Sequence, residues 1–102
     1  MSPAHYAAQQ ARERGLLLDL LKEHTDPIDS VGLWGALGLL GVPIQRAHFR
    51  QHLDYLAHKG YLSAAVRHLG RVSVTWVELT PQGRDLLSGL IDDVGVLVGD
   101  GD

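Results

Sequence analysis

The chain has 102 residues, is 45% hydrophobic and carries no cysteine, which suits one small core and excludes disulfide frameworks, cysteine nucleophiles and cysteine-based zinc sites. Its formal net charge is −3, and it has neither an apolar run long enough to span a bilayer nor a secretory leader. We therefore expect a single domain over residues 1–102, a cytoplasmic location and no membrane partner.

The first predicted helix runs from about residue 7 to residue 24 and ends before the breaker Thr25-Asp26-Pro27. Its leucines are spaced for one buried face, with Leu18 beside it: Leu16, Leu17, Leu20 and Leu21. Gly15 is a weak point in this helix. Residues 1–10 are polar and rich in alanine, and as an N-terminal extension they leave three alternatives open: more helix, docking on a partner subunit, or loose chain.

A second helix is predicted from residue 31 to about residue 40, with Asp29 or Ser30 as its N-cap. Its core side consists of Leu33, Leu37 and Leu40. Glycine recurs at every third position (Gly32, Gly35, Gly38 and Gly41), and each lowers helix propensity by about 1 kcal/mol relative to alanine. Two interpretations remain open. The glycines form a smooth face beside Trp34 that the third helix or a symmetry mate approaches closely, or the helix is short, poorly formed and held by its leucines.

The third predicted helix starts at the turn Gly41-Val42-Pro43, with proline setting the first helical residue, and stops at Lys59-Gly60. Its core stripe consists of Phe49, Leu53 and Leu56, with Ile44 or Ala47 one turn earlier, and Tyr61 and Leu62 fold back on it. The opposite face carries Ala47, Gln51, Asp54, Tyr55 and His58, flanked by His48 and Arg50.

A hairpin follows, with strands over residues 63–66 and 72–79 and a glycine turn over residues 67–71. Thr80 as N-cap and Pro81 as first helical residue then open a last helix, whose apolar stripe is Leu86, Leu87, Leu90 and Ile91. The acidic tail, residues 92–102, is apolar in its middle. An edge strand, a dimer arm and disorder remain open for this tail, and we expect Asp92 and Asp93 to be solvated.

Two strings resemble a known superfamily. LDYLAHKGYL, a basic-tipped hairpin and VELTPQGRDLL look like the winged-helix superfamily of DNA-binding proteins over residues 15–90. More narrowly, the chain length, DSVGLWGAL and LTPQGRDLLSG are similar to a family of small proteins of transposable, Mu-like phages and prophages. The resemblance implies an α+β, mainly helical, winged helix-turn-helix fold with a three-helix core, a two-stranded wing and a C-terminal helix. It implies a bacterial or phage cytoplasmic setting and brings no assigned activity.

The charge distribution favours a nucleic-acid site despite the negative total. Residues 42–75 carry five cations and one anion, whereas residues 1–41 and 76–102 have net charges of −2 and −5. Local field steers a polyanion more than net charge does. We predict that the third helix and the wing contact double-stranded DNA through Gln45, Arg46, His48, Arg50, Gln51, His52, Arg67, His68 and Arg71. Asp54 opposes this interpretation, and the wing arginines also suit an ordinary solvated hairpin tip.

Other chemistries find little support in the sequence. His48 and His52 have the i, i+4 spacing that can present two imidazoles to one ion, but no third ligand follows, so we predict no metal site. Exposed histidines instead predict DNA binding that strengthens as pH falls toward about 6.5. The chain lacks a phosphate-binding loop with lysine, a nucleophile elbow and an HExxH motif. We therefore expect no enzyme activity and no cofactor.

These observations predict a DNA-binding, transcriptional-regulator-like protein, and the resemblance to the Mu-like phage proteins implies a phage or prophage origin. We expect a homodimer formed through the first helix, the last helix or the tail. The alternative is a winged-helix protein-interaction module without DNA binding, which would use Trp34, Tyr55, the glycine face and the tail.

Overall fold

The computed structural model describes residues 2–99. Within them the chain forms four helices and three strands: α1 (Pro3–Lys22), β1 (Ile28–Asp29), α2 (Ser30–Leu39), α3 (Arg46–His58), β2 (Leu62–Leu69), β3 (Val72–Leu79) and α4 (Pro81–Ser88). This is the element order that the winged-helix resemblance implies, with one short strand added before α2. Among these residues, no helix has both the length and the apolar composition needed to cross a membrane.

The first helix starts earlier than predicted because Ser2 caps it. The Ser2 hydroxyl accepts a hydrogen bond from the His5 N–H at 3.1 Å, and Pro3 occupies the first helical position. Residues 3–10 therefore extend α1. Its buried leucines are Leu17, Leu18 and Leu21, whereas Leu16 and Leu20 are only half-buried, so the core face is rotated slightly from the predicted stripe.

Asp29 is the N-cap of α2, with its carboxylate accepting from the Gly32 N–H at 2.8 Å. Leu33 and Leu37 are buried as predicted, but the prediction for Leu40 is wrong, since its side chain is 65% exposed. The helix ends at Leu39, and the chain then reverses through a turn in which the Val42 N–H donates to the Leu37 carbonyl at 2.9 Å. This turn carries Leu40 away from the core.

The glycine face of α2 is open. A Cβ at Gly35, Gly38 or Gly41 would have no heavy atom within 4 Å, whereas one at Gly32 would meet the Asp29 cap. The third helix of the same chain therefore does not pack on this face. Close approach of the third helix to this face, one of the predicted alternatives, is therefore wrong, and approach of a symmetry mate stays a prediction.

The predicted start of α3 at Pro43 is wrong. Gln45 is still extended, and Arg46 is the first helical residue. The preceding segment is held extended because Ile44 is buried in the core and its carbonyl accepts the indole N–H of Trp34 at 2.7 Å. These two anchors delay the helix by three residues.

The end of α3 is as predicted. Gly60 has φ +84, a left-handed conformation that glycine adopts without a side-chain clash. The Tyr61 N–H returns to the Leu56 carbonyl at 2.9 Å. Tyr61 and Leu62 are both buried, so the chain folds back on the helix and enters β2.

The wing is longer and tighter than the sequence suggested. β2 and β3 pair antiparallel from Leu62↔Leu79 to Leu69↔Val72, which leaves only Gly70 and Arg71 in the turn. Gly70 has φ +65 and Arg71 does not have a positive φ, which matches the type II′ pattern with glycine first. The added strand, β1, pairs with the other side of β3 in the order β1-β3-β2.

The last helix is capped by Thr80, whose hydroxyl accepts from the Gly83 N–H at 3.0 Å and donates to the Gly60 carbonyl at 2.6 Å. Leu86 is buried and Leu87 half-buried, as predicted. The helix stops at Ser88, one turn short of the predicted stripe, so Leu90 is 77% exposed. The prediction of Leu90 as a core residue is wrong.

Two glycines allow close backbone approaches. A Cβ at Gly83 would collide with the Tyr61 carbonyl oxygen, and one at Gly15 with the Leu97 carbonyl oxygen. Gly83 thereby seats α4 on the start of β2. Gly15 is buried under the C-terminal chain, so its role is to admit that chain and not to weaken α1.

Two glycine-to-alanine substitutions are expected to have opposite effects. Gly83→Ala should lower the free energy of unfolding by about 1–3 kcal/mol, because the added methyl must displace backbone. Gly35→Ala, on the open face of α2, should raise it by up to about 1 kcal/mol through helix propensity. Urea denaturation followed by circular dichroism measures both. A Gly83→Ala variant as stable as the unmodified protein would contradict the close seating of α4.

Candidate nucleic-acid interface

The exposed side of α3 is defined by its buried side. Phe49, His52, Leu53 and Leu56 face the core, so the opposite face consists of Ala47, Gln51, Asp54 and His58, all exposed. Arg46 and Arg50 flank that face on the side of the wing, and His48 flanks it on the other side. The predicted residues Gln45, Arg46, Arg50 and Gln51 are exposed, and His48 is half-buried. The first half of the helix therefore presents two guanidinium groups and two carboxamides to solvent.

A cleft of 340 Å³ separates α3 from the wing. Its floor is apolar, with Phe49 and Leu53 from α3 and Ala64 and Val66 from β2, and Arg46, Arg50 and Asp54 also line it. The start of α2 closes one end through Ser30, Val31 and Trp34. The cleft brings one side of α3 and one face of the hairpin to a common surface.

Trp34 connects α2 to the start of α3. Its indole N–H is bonded to the Ile44 carbonyl, and the Arg46 guanidinium lies 5.5 Å from its ring centre, within the range of a cation–π interaction. Arg46 is thus partly held by aromatic stacking, whereas Arg50 is exposed on the next turn. Of the two arginines, Arg50 is freer to follow a ligand.

The wing does not gather its three predicted donors at one point. Arg71 lies in the turn, but Arg67 and His68 lie in β2, opposite Val74 and Ser73. Side chains alternate along a strand, so His68 shares the face of Val66 that lines the cleft, while Arg67 points to the other face. The His68 ring forms a hydrogen bond through Nδ1 with the Ser73 hydroxyl at 2.9 Å.

The structure contradicts the predicted exposure of His52. Its side chain has 0% exposure, because its position on the helix falls within the core face and not beside Gln51. Nδ1 accepts a hydrogen bond from Arg14 Nε at 3.2 Å, and Nε2 lies 2.9 Å from the Glu13 carboxylate. Arginine only donates, so Nδ1 is the acceptor and Nε2–H donates to Glu13.

Burial lowers the pKa of His52, and the nearby Arg14 charge lowers it further, although the hydrogen bond to Glu13 partly opposes both. The ring is therefore neutral at pH 7. Both ring nitrogens are occupied, so His52 cannot pair with His48 around a metal. Residues 2–99 contain no group of three or more side chains arranged to hold a metal ion.

The C-terminal chain packs behind α3. Val96 is buried, the Leu97 N–H donates to the Ala11 carbonyl at 3.0 Å, and Arg14 Nη1 donates to the Gly95 carbonyl at 3.0 Å. As far as residue 99 the tail is not part of the sheet, which removes the edge-strand alternative for that stretch. Residues 100–102 of the predicted tail lie outside the described residues.

Asp93 is not solvated, contrary to expectation. Its carboxylate accepts hydrogen bonds from the hydroxyls of Tyr55 at 3.0 Å and Tyr61 at 2.7 Å and from the Gly95 N–H at 2.8 Å. Burial by itself raises the pKa of Asp93, but these bonds, with the nearby Lys59 charge, outweigh it and lower the pKa. Burial, together with the bond to Asp93, raises the pKa of Tyr61 to about 12.

Tyr55 is half-buried within this cluster and is not an exposed anchor. Arg14 lies 3.9 Å from its ring centre, and its hydroxyl is bonded to Asp93. Glu13, Arg14 and Asp93 were missed as residues that support the site. The signal for them is weak: Glu13 and Arg14 precede a glycine in a leucine-rich helix, and Asp93 follows another acid.

The fold matches solved winged-helix proteins. A PadR-family transcriptional regulator from Eggerthella lenta superposes with a TM-score of 0.64 at 22% identity, over 76% of this chain and 70% of that one. A PadR-like transcription factor from Bacteroides fragilis gives a TM-score of 0.64 at 20% identity, over 76% and 74%. These similarities confirm the predicted winged-helix fold. No protein-family model matches the sequence, and no curated protein matches it.

Replacing Asp93 by asparagine should lower the free energy of unfolding by about 1–3 kcal/mol at pH 7, because an amide loses the charge-assisted bonds from two tyrosines. Asp92→Asn is the matched control, since Asp92 is exposed, and should change stability by less than about 0.5 kcal/mol. Because the pKa of Asp93 is lowered in the fold, its contribution is complete above the ordinary value of 3.8 and disappears as pH falls below it. Equal stabilities of the two variants would show that the carboxylate contributes nothing.

Proposed function

We propose that this protein binds double-stranded DNA as a transcriptional regulator, with the first half of α3 in the major groove and the wing against the backbone. The observation that carries the proposal is the exposed group Arg46, Arg50 and Gln51 on one side of α3, beside the cleft that joins the helix to the wing. Arginine and glutamine donate to base edges and phosphates. The structural neighbours, which are described as transcription regulators, support the same function.

The proposed contacts divide by element. On α3 they are Gln45, Arg46, His48, Arg50 and Gln51, and on the wing Arg67, His68 and Arg71. We leave out His52, because a fully buried ring cannot reach DNA. Asp54 is exposed in the middle of α3, so the helix is proposed to enter the groove by its N-terminal half, which keeps that carboxylate at the edge of the contact.

The distribution of charge supports this surface as the proposed DNA-binding site. The segment from residue 42 to residue 75 holds five of the nine lysines and arginines, and the nearby acid of the tail, Asp93, is held internally by Tyr55 and Tyr61. Phosphate binding by arginine releases condensed counterions, so affinity depends steeply on salt.

We propose no catalysed reaction, and the structural neighbours are described as regulators.

We also propose that the protein acts in the cytoplasm as a homodimer and is of phage or prophage origin. The origin rests on the resemblance of DSVGLWGAL and LTPQGRDLLSG to Mu-like phage proteins. The dimer rests on apolar groups outside the core: Val94 is 97% exposed, Leu97 is half-exposed, and Tyr6 on the first helix is also exposed. A two-fold dimer would present two α3 helices to one duplex.

A second candidate function has one observation in its favour. Trp34, Gly35, Gly38 and Ile44 line an open, mainly apolar groove on α2, and Leu39 is 91% exposed nearby. Such a surface suits a protein partner. In this alternative, the winged helix is an interaction module and does not bind DNA. Tyr55 contributes less to it than predicted, because its hydroxyl is already bonded to Asp93.

Fluorescence anisotropy with a random DNA duplex at about 50 and 200 mM salt tests the first function. We expect the logarithm of affinity to fall linearly with the logarithm of salt concentration, with a slope near −0.9 for each phosphate contact. The triple variant Arg50→Ala, Arg67→Ala and Arg71→Ala should weaken binding and make the slope shallower by about 1 for each phosphate that is no longer bound.

Arg84→Ala is the matched control, since Arg84 is exposed on α4, away from the proposed surface. It should bind DNA like the unmodified protein. Absence of binding at low salt would reject the first function and favour the interaction module. An equal loss of affinity in the control and the triple variant would reject this particular surface.

The dimer is tested separately by sedimentation equilibrium at micromolar concentration. We expect a mass of twice the 11.1 kDa of one chain. Val94→Asp combined with Leu97→Asp should shift the protein toward the monomer, because charges oppose burial of these exposed apolar positions. The matched change Leu39→Asp, at an exposed position at the end of α2, should leave the dimer intact. A monomer in the unmodified protein contradicts the proposal.

A further inference from the structure

One arginine joins three parts of the molecule behind α3. Arg14 on α1 donates from Nε to His52 on α3 and from Nη1 to the Gly95 carbonyl, and its guanidinium lies over the ring of Tyr55. We call residues 93–99 the strap. A single guanidinium thus contacts both the strap and α3. Movement of Arg14 away from His52 therefore also weakens its hydrogen bond to the Gly95 carbonyl.

The ring of His52 determines whether Arg14 can stay. In the neutral ring, Nδ1 offers a lone pair to Arg14 while Nε2–H donates to Glu13 at 2.9 Å. The charged and titratable groups around the ring are Glu13 and Arg14 from α1 and His48 from α3 itself. The strap adds the Gly95 carbonyl through Arg14 and the Asp93 carboxylate through Tyr55.

A proton on Nδ1 changes one of these contacts and not the other. The new N–H faces the N–H of Arg14, so two donors and two positive charges meet. The Glu13 carboxylate, in contrast, binds the imidazolium more strongly than the neutral ring. Protonation therefore retains Glu13 and expels Arg14, which is the residue that holds Gly95.

We propose that protonation of His52 releases the strap. In acid, Arg14 leaves the ring, and residues 93–99 separate from α1 and α3. The strap then no longer supports the back of α3. That last consequence bears on DNA affinity and rests on the proposed function, whereas the release itself does not.

The sign of the pH effect follows from the burial of the ring. Burial and the Arg14 charge lower the pKa of His52 in the closed form, and opening hydrates the ring and removes Arg14 while Glu13 stays, so the pKa is higher in the open form. Between these two values the open form binds a proton that the closed form does not, so the open fraction grows as pH falls. From pH 7.5 to pH 5.5 the ratio of open to closed molecules should rise, by up to about tenfold for an open-form ring that titrates near the ordinary value of 6.5.

Hydrogen exchange of the strap amides tests the release without DNA. Leu97 is the suitable probe, because its N–H donates to the Ala11 carbonyl on α1, whereas the Val96 N–H donates to Asp93 within the strap itself. After correction for the intrinsic exchange rate, the opening equilibrium at Leu97 should increase between pH 7.5 and 5.5, by up to about tenfold. Amides in the middle of α3 and β3 should not change in parallel, since a parallel change would indicate global unfolding and overturn the proposal.

Three variants make the test specific. His52→Gln keeps an acceptor for Arg14 and a donor for Glu13 but does not titrate, so the strap should stay closed at both pH values. Arg14→Gln should leave the strap open at both. His58→Gln is the matched control, since His58 is exposed on the same helix, and should retain the full pH-dependent change of the unmodified protein. The same change in His52→Gln would overturn the proposal, and if that variant does not fold, a pH-dependent strap in Arg14→Gln would overturn it equally.

DNA binding then tests the link to α3. Below pH 6.5 the unmodified protein should lose affinity relative to His52→Gln by up to the same tenfold factor. All other histidines are present in both proteins, so the comparison isolates the contribution of His52. Equal affinities would overturn the link to α3, and absence of DNA binding in both proteins would contradict the proposed function and leave the exchange result unaffected.

Discussion

The position of α3 depends on a small polar core between α1, α3 and the C-terminal chain. Its centre is the contact between Arg14 and His52, with Glu13 on the far side of the ring and Gly95 on the far side of the guanidinium. Within the described residues, every buried side-chain nitrogen and oxygen has a hydrogen-bond partner. Because an unpaired buried polar group is costly, these groups fix one another's positions, and leucine packing alone would leave α3 freer to slide.

The parts of the fold that follow from local rules were predictable. Thr80-Pro81 starts α4 and Gly60 ends α3, because capping and positive φ depend on residues a few positions apart. The start of α3 was not predictable in this way. Pro43 signals a helix, but burial of Ile44 and the long-range bond from Trp34 keep the chain extended until Arg46, and β1 is too short for a periodic signal.

Prediction of the candidate site is limited in the same way, because it succeeds where local rules decide and fails where distant contacts decide. Arg50 and Gln51 are exposed as the helical projection predicts, since the projection needs only the direction of the core. His52 was assigned to the wrong environment because a histidine between Gln51 and Leu53 reads as polar surface, and its partners lie 38 and 39 positions away. Asp93 was misjudged for the same reason, because its tyrosine partners are distant in sequence.

The two-residue turn of the wing limits how this surface can change. Only Gly70 and Arg71 lie outside the strand pairing, so the hairpin cannot accommodate an extra residue without a change in that pairing. A single insertion in β2 before Arg67 would either bulge the strand or shift its register, and a one-residue shift moves each side chain to the opposite face. Arg67 and His68 would then exchange places between the outer face and the cleft. The wing is therefore open to change of side chains at fixed length, whereas a register shift of one residue would reverse which of Arg67 and His68 lies on the same side as α3.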